Sequence, residues 1–163
     1  MTEAPTDGEA RAAAALAGLG LPHRVVRHGP VRSLSEAAAA RGVEDRDVIK
    51  TLVVRRAADD FLFVLVPGGR AISWPKLREH LGVSRLSMPD ADTAYEVTGY
   101  VRGTITPFGS TRAWPVVADA SLRGREVSIG GGASGVAVAV AADAAVAALG
   151  GTYADVTDPE PSP

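Results

Sequence analysis

One lysine and two glycine-rich segments are the parts of this sequence whose residue types and spacing could do chemistry. Lys50 stands inside an apolar run, Val48-Ile-Lys-Thr-Leu-Val-Val, and strand alternation places it on the same face as Leu52 and Val54. A lysine there either extends its ammonium to the surface at the end of the strand or reaches into a polar pocket. The local sequence alone favours the surface.

The first glycine-rich segment runs from Val97 to Gly109 and contains three glycines and a proline among β-branched and aromatic residues. The glycines allow positive φ and a close approach of another molecule to the backbone. Pro107 fixes its own φ and favours an extended Thr106. The segment predicts the end of a strand that leads into a shaped loop with free backbone N–H groups. The alternative is a tight turn between two strands.

The second segment, Gly130-Gly-Gly-Ala-Ser-Gly, has the glycine spacing of a dinucleotide-binding loop. That interpretation fails because valine and alanine alternate after it as in a strand, and too little chain follows for a second βαβ half. Ser134 does not fit a nucleophile elbow, since Val136 stands where a glycine is needed. What remains is a loop whose backbone N–H groups could bind an anion or an oxyanion.

Composition excludes several other kinds of site. The chain has no cysteine, its three histidines show no metal-ligand spacing, and its net charge of −2 gives no general affinity for nucleic acid. No signal peptide and no apolar stretch long enough to span a membrane are recognisable. We therefore expect a cytoplasmic protein with no cofactor, no metal and no membrane contact.

Periodicity and capping signals predict the elements that must position these segments. Helices are expected after Ser33 and Ser73 and from about Asp90 to Val97, and Asp143 is expected to cap a last helix. An antiparallel hairpin is expected from Val48–Arg56 and Phe61–Val66, with its second strand buried on both faces. The chain is expected to be one α+β domain, with a mixed, largely antiparallel, barrel-like sheet, surrounding helices, and disorder in residues 1–5 and 158–163. Further strands are predicted near His23–His28, Ser84–Met88, Trp114–Ala118, Glu126–Ile129, Val136–Val140 and Tyr153–Val156.

Three motifs in this order resemble the YbaK/prolyl-tRNA synthetase-associated family of aminoacyl-tRNA deacylases. They are Ile49-Lys-Thr-Leu-Val-Val, Thr98-Gly-Tyr-Val-Arg-Gly-Thr-Ile-Thr-Pro-Phe-Gly and Ser128-Ile-Gly-Gly-Gly-Ala-Ser-Gly. The resemblance extends from about His23 to Val156. It implies a barrel-like α/β sheet with a central cleft.

The resemblance also implies a set of site residues around that cleft. Lys50 is the implied functional lysine, and Gly103 and Pro107 belong to a Gly-x-x-x-Pro loop. Gly131, Gly132 and Gly135 form the second loop. Catalysis is assigned to Lys50 and Gly103, and substrate binding is assigned to Ile49, Thr51, Thr106, Pro107, Phe108, Gly109, Gly131, Gly132, Ser134 and Gly135.

The implied reaction is hydrolysis of the ester of a mischarged aminoacyl-tRNA, bound by its acceptor end, without a metal. Such an ester is already activated, so positioning, a water molecule and stabilisation of the oxyanion are the main needs. Cysteine-specific members have Ser-Gly-Gly-Lys/Arg-Arg-Gly at the second loop, and alanine-specific members have Lys-Asn and a later histidine. This chain has neither pattern, because its second loop, Gly130-Gly-Gly-Ala-Ser-Gly, lacks the first hydroxyl and the basic pair, Thr51 follows Lys50, and His80 is its last histidine. A small amino acid on tRNA-Pro is our expectation.

Two other functions stay open on the sequence. The chain could be a non-catalytic binding module for an aminoacyl-adenosine-like ligand or an aminoacyl-tRNA synthetase, or it could hydrolyse a small ester unrelated to tRNA. The sequence leaves the oligomeric state open. Arg27, Arg32, Arg102, Arg112, Arg123 and Arg125 could contact phosphates if they cluster around the cleft.

Overall fold

The computed structural model describes residues 7–161, and within them the chain forms five α-helices and nine strands. No helix in this range is long and apolar enough to cross a membrane. The helices are α1 (Asp7–Gly18), α2 (Leu34–Arg41), α3 (Trp74–Leu81), α4 (Ala91–Thr98) and α5 (Ala142–Ala148). The strands are β1 (His23–Arg27), β2 (Ile49–Ala57), β3 (Asp60–Pro67), β4 (Arg70–Ile72), β5 (Val116–Asp119), β6 (Glu126–Gly130), β7 (Val136–Ala141), β8 (Thr152–Ala154) and β9 (Thr157–Pro159).

The strands form three sheets, which confirms the mixed, largely antiparallel α+β architecture. One sheet has the order β1-β7-β6 and is antiparallel throughout. The second has the order β2-β3-β5-β8, in which β2 and β3 form the predicted antiparallel hairpin and the other pairings are parallel. Strands β4 and β9 form the third. An isolated parallel bridge between Val48 and Ser128 links the first two sheets, which do not close into a barrel.

Strand β3 lies at the centre of the core, and both its faces are buried as predicted. Phe61, Phe63 and Leu65 pack in a cluster that includes residues of α1, β6 and β7. The alternate residues of β3 pack in a second cluster with Leu77 of α3 and Val156. The continuous apolar run of this strand is thereby explained, because every side chain of its interior leaves water.

Side-chain caps begin three of the helices. Ser33 and Ser73 accept N–H groups three residues later, as predicted, and Asp90 does the same for α4. Asp143 does not cap α5, whose N-cap is Ala141. Its carboxylate instead accepts hydrogen bonds from the Tyr153 hydroxyl and a backbone N–H, which lower its pKa.

Two predicted strands differ from the structure. The segment from Val97 to Gly109 begins with the end of α4, because Asp90 starts a helix that continues through Thr98 to a positive-φ Gly99. The expected strand at Ser84–Met88 is reduced to a single bridge between Ser87 and Arg55. At Val97 the local cap at Asp90 determined the outcome, whereas at Ser84–Met88 the residue types were compatible with a strand that the structure reduces to one bridge.

The C-terminal segment is more ordered than predicted. Asp158 and Pro159 pair with β4 in β9, instead of belonging to a disordered tail. Lys76 forms ion pairs with Asp155 and Asp158. Acidic side chains of the kind that suggested a solvated, disordered tail are therefore paired with a lysine of the folded domain. The predicted disorder of residues 1–5, and that of residues 162–163, falls outside the described range.

A buried carboxylate, Asp119, fastens this segment to β5. It accepts hydrogen bonds from the N–H of Val156 and from Ser121. Burial acts to raise its pKa, but the hydrogen bonds from Ser121, Thr157 and the backbone outweigh burial and lower the pKa below the ordinary 3.8.

Because the pKa of Asp119 is lower in the folded state, its carboxylate stabilises the fold fully above the ordinary value and loses this contribution as pH falls through the folded pKa. We expect the free energy of unfolding to fall with acidification below about pH 4. The Asp119→Asn variant should show a shallower acid-induced fall in urea titrations at several pH values. Asp59→Asn, at an exposed turn, is the control, and an unchanged slope in Asp119→Asn would contradict the assignment.

Candidate functional site

Lys50 lies near the start of β2, where the first two sheets approach each other. If the Val48–Ser128 bridge register is continued by two residues, Lys50 stands level with Gly130 at the end of β6. The carbonyl oxygen of Ile105 lies 3.5 Å from the position of a Cβ built on Gly130. The start of β2, the end of β6 and the loop after α4 therefore meet at one end of the sheets.

The ammonium of Lys50 has an acidic partner from the C-terminal segment. Its Nζ lies 3.0 Å from Oε1 of Glu160, and both side chains are about half exposed, at 45% and 44%. Glu160 is held in place because its N–H donates to the carbonyl of Gly69 beside β4. The sequence offered the surface or a pocket for Lys50, and the structure shows a half-exposed ammonium beside a carboxylate. Its position in a cleft between the two glycine loops stays a prediction.

The loop after α4 is held from inside by Arg11 of α1. The Arg11 guanidinium donates to the carbonyls of Gly109 (3.2 Å) and Gly99 (2.6 Å) and lies 4.7 Å from the centre of the Tyr100 ring. The hydroxyl of Tyr100 donates in turn to the carbonyl of Phe108. Burial raises the pKa of Tyr100, and the nearby Arg11 only partly opposes this effect. The phenol therefore stays a neutral donor, and Arg11 and Tyr100 together tie the loop to α1.

Within this loop, one predicted site residue is exposed, three are buried and Gly109 is half-buried. Gly103 is exposed, has φ +89° and has no atom within 4 Å of a built Cβ. No hydrogen bond in the described part of the chain uses its N–H, so this donor is available. Thr106, Pro107 and Phe108 are buried. The loop thus presents the Gly103 backbone outward from a packed base.

On β2, the two neighbours of Lys50 lie on the opposite face of the strand. Ile49 is buried in the main core together with Phe108. The hydroxyl of Thr51 is buried and has no hydrogen-bond partner within the described range. The roles of Ile49, Thr51 and Phe108 in substrate binding stay predictions.

The glycines of the second loop make close backbone contacts. A Cβ on Gly132 would lie 2.4 Å from the carbonyl oxygen of Gly8 in α1, and one on Gly135 would lie 2.7 Å from that of His28. A Cβ on Gly131 would lie 2.6 Å from a methyl group of Val136. Ser134 is exposed at the tip. The sequence predicted close approach here, and the structure shows that α1 and the end of β1 are among the approaching segments.

Helix α1 therefore contacts both glycine loops, a role that its sequence did not predict. Gly8 faces Gly132, and the backbone at Arg11 faces Gly109. A lone arginine in an otherwise alanine-rich helix was the available signal for Arg11. Beside α1, a mainly apolar cavity of about 550 Å³ reaches Gly131 and is bordered by Leu16 and Val25.

Metal ligation finds no support within residues 7–161, where no three His, Asp or Glu side chains come together as a candidate site. Three of the arginines that could contact phosphates are in contact with other side chains of the protein. Arg125 pairs with Glu44 and Asp47, and Arg112 and Arg123 stack on Trp114 and Tyr153.

Comparison with known proteins gives the family. Residues 28–147 match the model of the aminoacyl-tRNA editing domain. A proline–tRNA ligase of Geobacter sp. (strain M21) is 37% identical over 93 residues, which are 57% of this chain but only 16% of the ligase. The chain therefore spans a small part of such ligases.

Two further relatives match over most of their length. EbsC of Enterococcus faecalis (strain ATCC 700802 / V583), named as a proposed Cys-tRNA(Pro)/Cys-tRNA(Cys) deacylase, is 24% identical over 129 residues, covering 78% of this chain and 79% of EbsC. The crystal structure of a proposed trans-editing enzyme for prolyl tRNA synthetase superposes with a TM-score of 0.86 at 25% identity, covering 95% of this chain and 99% of the other. The match covers most of the described chain, including Lys50 and both glycine loops, and the protein belongs to the aminoacyl-tRNA editing domain family.

Proposed function

We propose that this protein is a trans-editing hydrolase that removes the amino acid from mischarged aminoacyl-tRNA. The observation that carries the proposal is that the start of β2, which holds Lys50, the end of β6 and the loop after α4 lie together at one end of the sheets. Family membership and the superposition with a proposed trans-editing enzyme along almost its whole chain support it.

Each element of the site has a part in the proposed reaction. Lys50 binds the terminal phosphate or ribose of the acceptor end and orients the ester. The N–H of Gly103, which no hydrogen bond uses in the described part of the chain, donates a hydrogen bond to the developing oxyanion. Water attacks the ester carbonyl directly, and the ribose oxygen leaves with a proton. Ser134 takes no covalent part, since the tip of its loop is exposed and the described structure gives it no base.

The amino acid in this proposal is small, and the tRNA is tRNA-Pro. Ile49 and Phe108 supply the apolar wall, and a wall of that kind separates side chains by about 1–3 kcal/mol per methylene. The names of EbsC and of the ligases point to tRNA-Pro. Efficient removal of bulky aromatic residues would contradict this specificity.

The test is a deacylation screen on tRNA-Pro and other tRNAs, each charged with alanine, cysteine, serine, proline or phenylalanine. We expect turnover of at least one small mischarged amino acid and no change of rate with EDTA. A trapped acyl-enzyme, or activity that is lost with EDTA and restored by zinc, would contradict the mechanism. Binding of aminoacyl-tRNA without any turnover would favour the alternative, a non-catalytic binding module.

The Glu160–Lys50 ion pair gives a separate prediction. In the proposed mechanism the carboxylate of Glu160 competes with the substrate for the ammonium of Lys50. Glu160→Gln should therefore lower KM for aminoacyl-tRNA by about two- to fivefold, the range for an exposed ion pair, and leave kcat unchanged. Asp158→Asn removes the same charge from the same segment but leaves the Lys50–Glu160 pair intact, and Lys76 keeps its pair with Asp155, so it is the matched control. An unchanged KM in Glu160→Gln would show that Lys50 does not contact substrate.

A further inference from the structure

A second concave site lies at the end of the β2–β3 hairpin away from Lys50. A cavity of about 610 Å³ opens between the hairpin turn, α3 and residues 84–87. Four of its nine lining residues are arginines, none is acidic, and two are serines. The arginines are Arg55, Arg56, Arg78 and Arg85.

Most of this positive charge is not neutralised. Arg56 forms an ion pair with Asp60, but Arg55 donates only to the backbone carbonyls of Ala57 and Ala58. Within the described range, the side chains of Arg78 and Arg85 have no hydrogen bond and no ion pair. Three uncompensated guanidinium groups at one cavity stand out in a protein whose net charge is −2.

The backbone that carries these arginines is ordered by its own contacts. Arg55 and Ser87 exchange two backbone hydrogen bonds, of 2.7 and 3.1 Å, which fix residues 84–87 against β2. Helix α3, which carries Arg78, is anchored by the fully buried Leu77. The arginines are therefore attached to ordered backbone, so less backbone entropy is lost on binding than from a flexible basic tail.

Guanidinium groups and hydroxyls around an open cavity match phosphodiester oxygens. Arginine binds phosphate through paired N–H donors, and several such contacts along a backbone add up. Arg55 follows Lys50 by five residues on one strand, a separation of about 17 Å at the rise of an extended chain. That distance corresponds to several nucleotide steps, so one RNA could reach both places.

We propose that this cavity binds the phosphate backbone of the same aminoacyl-tRNA whose 3′ end lies at Lys50. The inference rests on the proposed function for the identity of the RNA. The cavity holds the body of the RNA without reading its sequence, and Lys50 with the glycine loops holds the ester. The site therefore contributes to affinity and leaves the chemical step unchanged.

The experiment compares two substrates on the double variant Arg78→Ala/Arg85→Ala. We expect KM for full-length aminoacyl-tRNA to rise by about tenfold with kcat unchanged, and the slope of log affinity against log salt to decrease by about one to two. Hydrolysis of 3′-aminoacyl-adenosine, which has no RNA body, should not change. Arg78→Lys/Arg85→Lys should keep most of the salt dependence, and Arg24→Ala/Arg46→Ala, which removes equal charge elsewhere, should behave as wild type.

Direct binding of uncharged tRNA, followed by fluorescence anisotropy, separates this inference from the proposed function. If the protein hydrolyses no aminoacyl-tRNA but binds tRNA more weakly after Arg78→Ala/Arg85→Ala, the arginine site stands and the editing function fails. If deacylation is intact and the variant matches wild type in KM and salt slope, the arginine site is overturned and the editing function stands. Absence of tRNA binding by the wild-type protein also overturns the site.

Discussion

Replacement of Lys50 by alanine is expected to lower kcat/KM for deacylation of mischarged tRNA by roughly 100-fold, the order that misplacement of a bound substrate costs. The variant loses the ammonium that we assign to the terminal phosphate or ribose, so the ester is no longer held against the Gly103 loop. Its free energy of unfolding should stay within about 0.5 kcal/mol of wild type, because the side chain is half exposed and its ion pair lies at the surface.

Three variants control this result. Arg46→Ala removes another exposed, ion-paired cation and should leave activity unchanged. Lys50→Arg keeps the charge with a different shape, and an intermediate rate is expected. Ser134→Ala should retain near wild-type activity, because Ser134 is not a nucleophile in this mechanism. Activity of Lys50→Ala within twofold of wild type would remove Lys50 from the site.

Those parts of the fold that depend on neighbours in sequence were predictable. The hairpin of β2 and β3 followed from two apolar runs around Asp59-Asp60, and the starts of α2 and α3 followed from Ser33 and Ser73. The double burial of β3 followed from its unbroken apolar run. Each of these signals acts over a few residues, so the amino-acid sequence contains it directly.

The parts that depend on distant contacts were not predictable. The C-terminal segment has a composition typical of disorder, yet Lys76 and Arg70 provide partners for it in the folded chain. The role of α1 was missed for the same reason. An alanine-rich helix predicts only its own existence, and its packing on the loops depends on glycines about 100 residues away.

The candidate site shows the same division. The order of the motifs, with Lys50 first and the two glycine loops after it, led to the family, which the comparisons show. The partner of Lys50 could not be deduced, because Glu160 follows it by 110 residues. Nor did the sequence distinguish a glycine that leaves the backbone open to a ligand from one that allows close packing against another segment. Gly103 is open, whereas Gly109 is in contact with α1.

That difference leads to the second large effect, in Gly109→Ala. The new Cβ would lie 2.5 Å from the carbonyl carbon and oxygen of Arg11 and 2.8 Å from the nitrogen of Ala12, all backbone atoms of α1. Rotation of a side chain cannot relieve such a clash, so α1 must shift and its hydrogen bond from Arg11 to Gly109 is lost. We expect the free energy of unfolding to fall by about 3–5 kcal/mol, in the range that marks a specific structural defect.

Gly124→Ala is the matched control, because Gly124 has nearly the same φ, +72° against +74°, but no atom within 4 Å of a built Cβ. It carries only the cost of a left-handed alanine, about 1–2 kcal/mol. Urea unfolding of both variants measures the difference, which isolates the contact between α1 and the loop. Equal losses would show that the loop does not depend on α1. A larger loss in Gly109→Ala, together with lower deacylation at temperatures where the variant stays folded, would show that α1 holds the loop in the shape that the ester requires.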